Sequence, residues 1–120
     1  MSFNPRLFID VAKSLDASAN AEEYYRSVIN RAYYGAFGYL KNKLNFPDYG
    51  ASSHQKLIDN LLAYNDRDHK LVGKKLESLF LKRKIADYKY HEEVKSHSCQ
   101  YCIQEAEAII SLFNKIQTTP

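Results

Sequence analysis

The sequence predicts an all-α protein, an antiparallel bundle of four to five helices in one domain spanning residues 1–120. Three observations lead there. Five stretches repeat apolar residues at i, i+3, i+4 spacing, the mark of a helix with one buried face. Four Gly and three Pro in 120 residues leave few turn-makers, which favours long helices. No stretch alternates apolar and polar residues at period two for long enough to make a strand. The connections are short, so neighbouring helices run antiparallel.

The first helix is expected over Pro5–Leu15. Asn4 is its cap, Pro5 its first position, and Leu7, Phe8, Val11, Ala12 and Leu15 its apolar face. Residues 16–20, DASAN, end it. The second helix starts at Asn20, where Asn20 and Glu23 form a variant capping box. It carries one stripe for about six turns through Tyr25, Val28, Ile29, Ala32, Ala36, Tyr39, Leu40 and Leu44. Gly35 and Gly38 lie inside it. Each costs about 1 kcal/mol relative to Ala, which points to a neighbouring helix that needs the space. Their string GAFG resembles a phosphate-clamping loop, but the helical pattern runs through it on both sides.

Residues 45–53 form a loop around Pro47 and Gly50. A third helix follows over His54–Tyr64, capped by Ser52 or Ser53, with Leu57, Ile58, Leu61 and Leu62 inward. Residues 65–69 turn the chain. The fourth helix spans Lys70–Tyr88 with Leu71, Val72, Leu76, Leu79, Phe80 and Ile85 inward. Residues 88–97 either extend it or form a short connection. The last helix spans Ser98–Ile116 on a seam of Cys99, Cys102, Ile103, Ala106, Ile109, Ile110, Phe113 and Ile116. Residues 118–120 are a frayed end.

Hydrophobic residues at 45% and charged residues at 26% are ordinary globular composition, which argues against disorder. No apolar run is long enough for a bilayer, so no membrane association is expected. The N-terminus lacks the pattern of a secretion signal, and two cysteines make no disulfide framework. Both features point to a reducing cytoplasm. The net charge of +3 is unevenly spread. Residues 70–95 hold eight Lys and Arg against four Asp and Glu, an excess that can attract polyanions, although a solvated lysine-rich helix face is the simpler account of it.

Two stretches carry more specific information. The second helix contains Asn30–Arg31–Ala32–Tyr33–Tyr34, and the fourth ends Arg83–Lys84–Ile85–Ala86–Asp87–Tyr88. With the Ser53–His54 pair after the loop, these resemble the small stand-alone HEPN domains of prokaryotes, whose second helix carries an N-R-A-Y-Y-type stretch and whose later helix ends in R-x-x-A-D-Y. The likeness extends from about Glu22 into the last helix. It implies a HEPN-like helical bundle that pairs with itself as a homodimer and needs no cofactor. Many such relatives are metal-independent endoribonucleases. Some are toxins of toxin–antitoxin or phage-defence systems, partnered with a minimal nucleotidyltransferase antitoxin. Others are catalytically inactive and bind RNA, nucleotide or a nucleotidyltransferase partner.

Metal-free RNA cleavage uses the ribose 2′-hydroxyl as an internal nucleophile. A histidine can handle its proton at neutral pH. An arginine fork can stabilise charge growing on the phosphate. The resemblance therefore implies Arg83 as the phosphate contact and His91, with His54 as the other choice, as the proton handler. Asp87 and Arg31 hold the site, and Asn30, Tyr34, Tyr88 and Tyr90 form its rim. The sequence departs from the active pattern at one place. Active relatives carry Arg, four to six residues, then His, whereas here Tyr88 occupies the His position. Tyrosine, which titrates near pH ~10, is a poor base at neutral pH. On a continuous helix Arg83 and His91 are about 80° apart around the axis and about 12 Å apart along it, so only a break near Tyr88 or Tyr90 brings them together.

Structural readings stand beside these. Arg83 and Asp87, at i and i+4, can pair on the helix, and Arg31 can pair with Asp87 from a facing helix. Tyr33 suits an interface between helices or subunits, while Tyr34 and Tyr90 suit the site. His91, His97, Cys99 and Cys102 have the residue types of a zinc set. Both cysteines, however, fall on the apolar seam, where thiols behave as small hydrophobes, so no metal is expected. The paired carboxylates Glu22–Glu23 and Glu92–Glu93 diverge on a helix and make no acid–base site.

Overall fold

The computed structural model describes residues 3–118. Five helices follow in order: α1 (Leu7–Ser18), α2 (Glu22–Lys43), α3 (Ser53–Leu62), α4 (Arg67–Tyr88) and α5 (Ser96–Thr118), with one 3-10 turn at Gly50–Ser52 before α3. The described residues contain no strand. Helix α2 is central, packing against α1, α4 and α5. Helix α3 lies on α4, and α1 reaches α5. A single core joins all five helices, from Ile9 and Ala12 through Leu40, Leu57, Leu76 and Phe113.

The glycines of α2 serve the close approach expected of them. A Cβ on Gly35 would stand 2.5 Å from Ile9 Cγ1, and one on Gly38 would stand 2.6 Å from Pro5 Cβ. Helix α1 therefore rests against glycine backbone. Gly73 does the same for α3 on α4, where a Cβ would meet Leu61 and Leu62 at 3.0 Å.

Several helix ends differ from expectation. Helix α1 continues through Asp16 to Ser18, and Asn4 caps a preceding turn, its Oδ1 accepting from the Arg6 N–H at 3.1 Å. Helix α2 starts at Glu22 behind Ala21, with no side-chain cap, so Asn20 does not cap it. The first residue of the helix, Glu22, accepts from Arg26 and from the Val94 N–H. Helix α3 has no side-chain cap either. The Ser53 hydroxyl accepts from the Tyr49 N–H, and Ser52 donates to the Tyr49 carbonyl, so both serve the loop. Helix α4 starts three residues early because Asp66 caps it, accepting from the His69 N–H at 2.9 Å.

Leu71 is 39% exposed rather than inward, and the buried face of α4 includes Gly73, Arg83 and Ala86. Helix α4 stops at Tyr88, and residues 89–95 form a connection. The seam of α5 is buried from Cys99 to Phe113. The end expected at 118–120 lies, beyond Thr118, outside the described residues. None of the described helices is long and apolar enough to cross a membrane.

Candidate functional site

Arg83 is the one buried arginine of the core, 9% exposed, on the inward face of α4. A cation in that position needs partners. Its Nε lies 2.7 Å from Asp87 Oδ2 one turn later. The Nε–H is not aligned with that oxygen and makes no hydrogen bond, so the contact is an ion pair without a directed bond. The Nη2 group donates to the Tyr34 hydroxyl at 2.9 Å and to the Tyr88 hydroxyl at 3.3 Å. The guanidinium carbon lies 5.1 Å from the ring centre of Tyr34 and 5.3 Å from that of Tyr88, within cation–π range. The third nitrogen, Nη1, has no hydrogen-bond partner among the described residues and is not sealed from solvent. Tyr34 closes the site from α2. Tyr88 is 63% exposed and closes it from outside.

Asp87 links this group to a second one. Its Oδ2 accepts from Asn30 Nδ2 at 2.8 Å, and Asn30 Oδ1 accepts from the Arg31 guanidinium, through Nε at 2.9 Å and also through Nη2. Arg31 does not pair with Asp87. Asn30 stands between them because neighbouring residues on α2 diverge, and only the amide can face both ways. Arg31 lies over the Phe8 ring at 5.1 Å. Asn30, Arg31, Asp87 and Tyr90 line an open groove on this side.

On the other side sits His54, at the start of α3. Its ring stacks on Phe37 at 4.3 Å and on Phe80 at 5.2 Å, and meets the Tyr34 ring edge-on at 5.7 Å. Its Nδ1 is 2.7 Å from the hydroxyl of Tyr33, which is fully buried. Burial, then the positive charges of Arg83 and Lys41, push the His54 pKa below the usual range. Burial likewise raises that of Tyr33, so the phenol keeps its proton. Tyr33 is therefore an interior helix–helix residue, not part of a subunit surface.

A residue outside the expected set holds the neighbourhood together. Arg26 on α2 donates from Nη1 to the carbonyls of Ile85 and Ala86 at 3.0 Å and of Lys89 at 3.4 Å, and from Nη2 to that of Glu92. The Ile85 and Ala86 carbonyls belong to the last turn of α4: that of Ala86 has no helical donor, while that of Ile85 also accepts from the Lys89 N–H at 3.0 Å. Glu22 holds the fork at 2.6 Å and accepts from the Val94 N–H at 3.3 Å. Arg26 donation, above all, keeps the Glu22 carboxyl below its ordinary pKa. The sequence signal was the i, i+4 spacing of Glu22 and Arg26, which reads as a surface pair until the 89–94 connection is seen to fold onto it.

The structure thus brings together Arg83, Asp87, Tyr34, Tyr88, Asn30, Arg31 and His54, and leaves Tyr90 on the adjoining groove, 76% exposed. His91 follows Tyr90 on the exposed connection. It has no hydrogen bond, ion pair or ring contact with the Arg83 group, although α4 does break at Tyr88. Cys99 and Cys102 are buried, and burial pushes their thiols up to about 11 and about 12. Among the described residues no three His, Cys, Asp or Glu side chains converge in a metal-binding group.

Protein-family models, curated proteins and solved structures give no match to this chain.

Proposed function

We propose that this chain is a HEPN-type RNA-acting protein working as a homodimer, and that it cleaves RNA without a metal ion. One observation carries the reading. The guanidinium of Arg83 is buried against two tyrosine rings and held by Asp87, yet keeps one nitrogen that is unpartnered among the described residues and not sealed from solvent. A cation fixed this way loses little freedom when it meets an anion, which suits stabilisation of charge on a phosphate. Arg31 and Asn30 extend donors along the adjoining groove, and the exposed rings of Tyr88 and Tyr90 offer stacking faces to bases or to a second copy. In this reading His91, on the connection beside Tyr90, handles the proton.

The second reading is a non-cleaving HEPN module that binds RNA, nucleotide or a nucleotidyltransferase partner. It is favoured by Tyr88, which holds the position of the active-site histidine and is bonded to Arg83.

The experiment is incubation of single-stranded RNA with the purified protein in EDTA, with light scattering for mass. Cleavage is expected to survive chelation, and Arg83→Gln is expected to slow it about 100-fold or more. Arg83→Lys, which keeps the charge and loses the fork, serves as the folded control. Cleavage unaltered in both variants, or a protein that stays monomeric, overturns the proposal. Salt-sensitive RNA binding without cleavage selects the second reading.

A further inference from the structure

Two nitrogens beside the Tyr34 ring, Nη1 of Arg83 and Nε2 of His54, have no hydrogen-bond partner among the described residues. Neither is sealed from solvent, since Arg83 Nε is the one buried side-chain polar atom without a hydrogen bond among the described residues. Both side chains rest on one ring, Tyr34, with the guanidinium 5.1 Å and the imidazole 5.7 Å from its centre.

The proton on His54 can be placed by satisfying its partner. Tyr33 is 0% exposed, and His54 Nδ1 is the one hydrogen-bond partner of its hydroxyl among the described residues. Were Nδ1 protonated, the phenol would have to accept, and its own O–H would be buried with nowhere to donate. Leaving a buried donor unsatisfied costs about 1–3 kcal/mol. With the phenol donating to Nδ1, the bond is satisfied and the imidazole proton must sit on Nε2. Burial of the ring between Phe37 and Phe80 disfavours a second proton on it, as do the positive charges of Arg83 and Lys41.

We propose that Tyr33 is a positioning residue that fixes His54 as the Nε2–H tautomer, and that His54 and Arg83 Nη1 together donate to one anionic oxygen, of the phosphate class. His54 is then a donor, not the general base. The phosphate rests on the function proposed above, whereas the tautomer does not.

The test begins with long-range proton–nitrogen NMR of the wild-type protein near neutral pH, with inorganic phosphate as the probe. The expected spectrum shows His54 protonated at Nε2 and bare at Nδ1, with the Nε2–H signal moving as phosphate is added. An Nδ1–H or doubly protonated His54, or a signal indifferent to phosphate, overturns the inference. Tyr33→Phe is expected to release the tautomer preference while helicity is retained, a spectral change that a packing role alone does not produce. The side-chain amide of Gln stands in for Nε2–H. His54→Gln should therefore weaken phosphate binding by about threefold or less, and His54→Ala by about tenfold or more. Equal losses in both refute donation. Phosphate binding with the Nε2–H form but no RNA cleavage leaves the inference standing and removes the nuclease. RNA cleavage with the Nδ1–H form does the reverse.

Discussion

Replacing Arg26 with alanine should destabilise the protein far more than loss of a surface arginine. The side chain is 14% exposed and serves four carbonyls at the end of α4 and in the connection after it. The bonds to Lys89 and Glu92 lie at exposed positions, where water replaces the guanidinium at small cost. Those to Ile85 and Ala86 are part-buried: the stranded Ala86 carbonyl costs about 1–2 kcal/mol, and the Ile85 carbonyl, which keeps the Lys89 N–H, loses a second donor at about 0.5 kcal/mol. The expected loss is therefore about 2 kcal/mol, equivalent to about 8 °C in Tm for a domain of this size. Urea unfolding followed by far-UV circular dichroism measures it. At a slope of about 2 kcal/mol per molar, the midpoint should fall by about 1 M. Arg26→Lys keeps the charge but can reach fewer carbonyls, and should lose about half as much. Hydrogen exchange gives the location: the Val94 and Lys89 amides, which bond to Glu22 and to the Ile85 carbonyl, should exchange faster in the alanine variant. A loss below about 1 kcal/mol, in the range of ordinary surface substitutions, refutes the clamp.

Gly35→Ala should destabilise by about 1–2 kcal/mol in thermal melts even though alanine is the better helix former, because the new methyl meets the side chain and backbone N of Ile9. Asp87→Asn removes the counter-charge of a buried guanidinium and should cost about 3 kcal/mol. In a double-mutant cycle with Arg83→Gln the two losses should fall well short of additive, and simple additivity refutes the pairing. His54 has a lower pKa folded than unfolded, so the unfolded chain takes up the proton first. Stability held above about pH 6.5 should thus decline as acid is added toward pH ~5, before the depressed carboxylates Glu22, Asp48 and Asp66 begin to titrate. Melting temperatures of wild type and His54→Gln across that window check it, and an equal decline in both assigns the effect elsewhere.

Periodicity made the five helices legible, and the α5 seam from Cys99 to Phe113 could be read residue by residue, whereas on α1 the expected Leu7 and Val11 are 47% and 45% exposed and Ile9 is buried in their place. Gly35 and Gly38 were legible for a related reason, since two helix-weakening residues on one face need a steric cause. The helix ends were not. Asn20, Ser52 and Ser53 are good caps by type, but a cap is decided by whether its side chain has a better offer, and here the loops supplied one for both serines. Leu71 was misjudged because on a chain bearing so many lysines an isolated leucine is no guide to which face is inward.

In the site, the local pairs were readable and the long-range ones were not. Arg83 with Asp87 follows from i, i+4 spacing alone. That Asn30 interposes between Asp87 and Arg31, or that Tyr33 reaches the imidazole of His54, depends on how α2, α3 and α4 are rotated about their axes, which spacing does not specify. This is why one tyrosine of the adjacent pair Tyr33–Tyr34 is interior and the other touches the cation. Adjacent residues on a helix point about 100° apart, so Tyr33 is spent on orienting a histidine while Tyr34 faces Arg83. The same argument bears on Tyr88. It is the last residue of α4, its ring is mostly in solvent, and its single bond to Arg83, at 3.3 Å, is the longer of the two that Nη2 makes. Of the partners of the guanidinium it is the one an incoming anion can displace without unpacking the core, whereas displacing Tyr34 or Asp87 would disturb α2 or strand a buried charge. Tyr88→Phe should therefore leave the fold intact and tighten inorganic phosphate binding about twofold to fivefold, the range expected for removing one weak neutral competitor. Weaker binding in that variant would mean that the hydroxyl contacts the ligand itself, and Tyr88 would then belong to the recognition surface rather than compete with the ligand for Arg83.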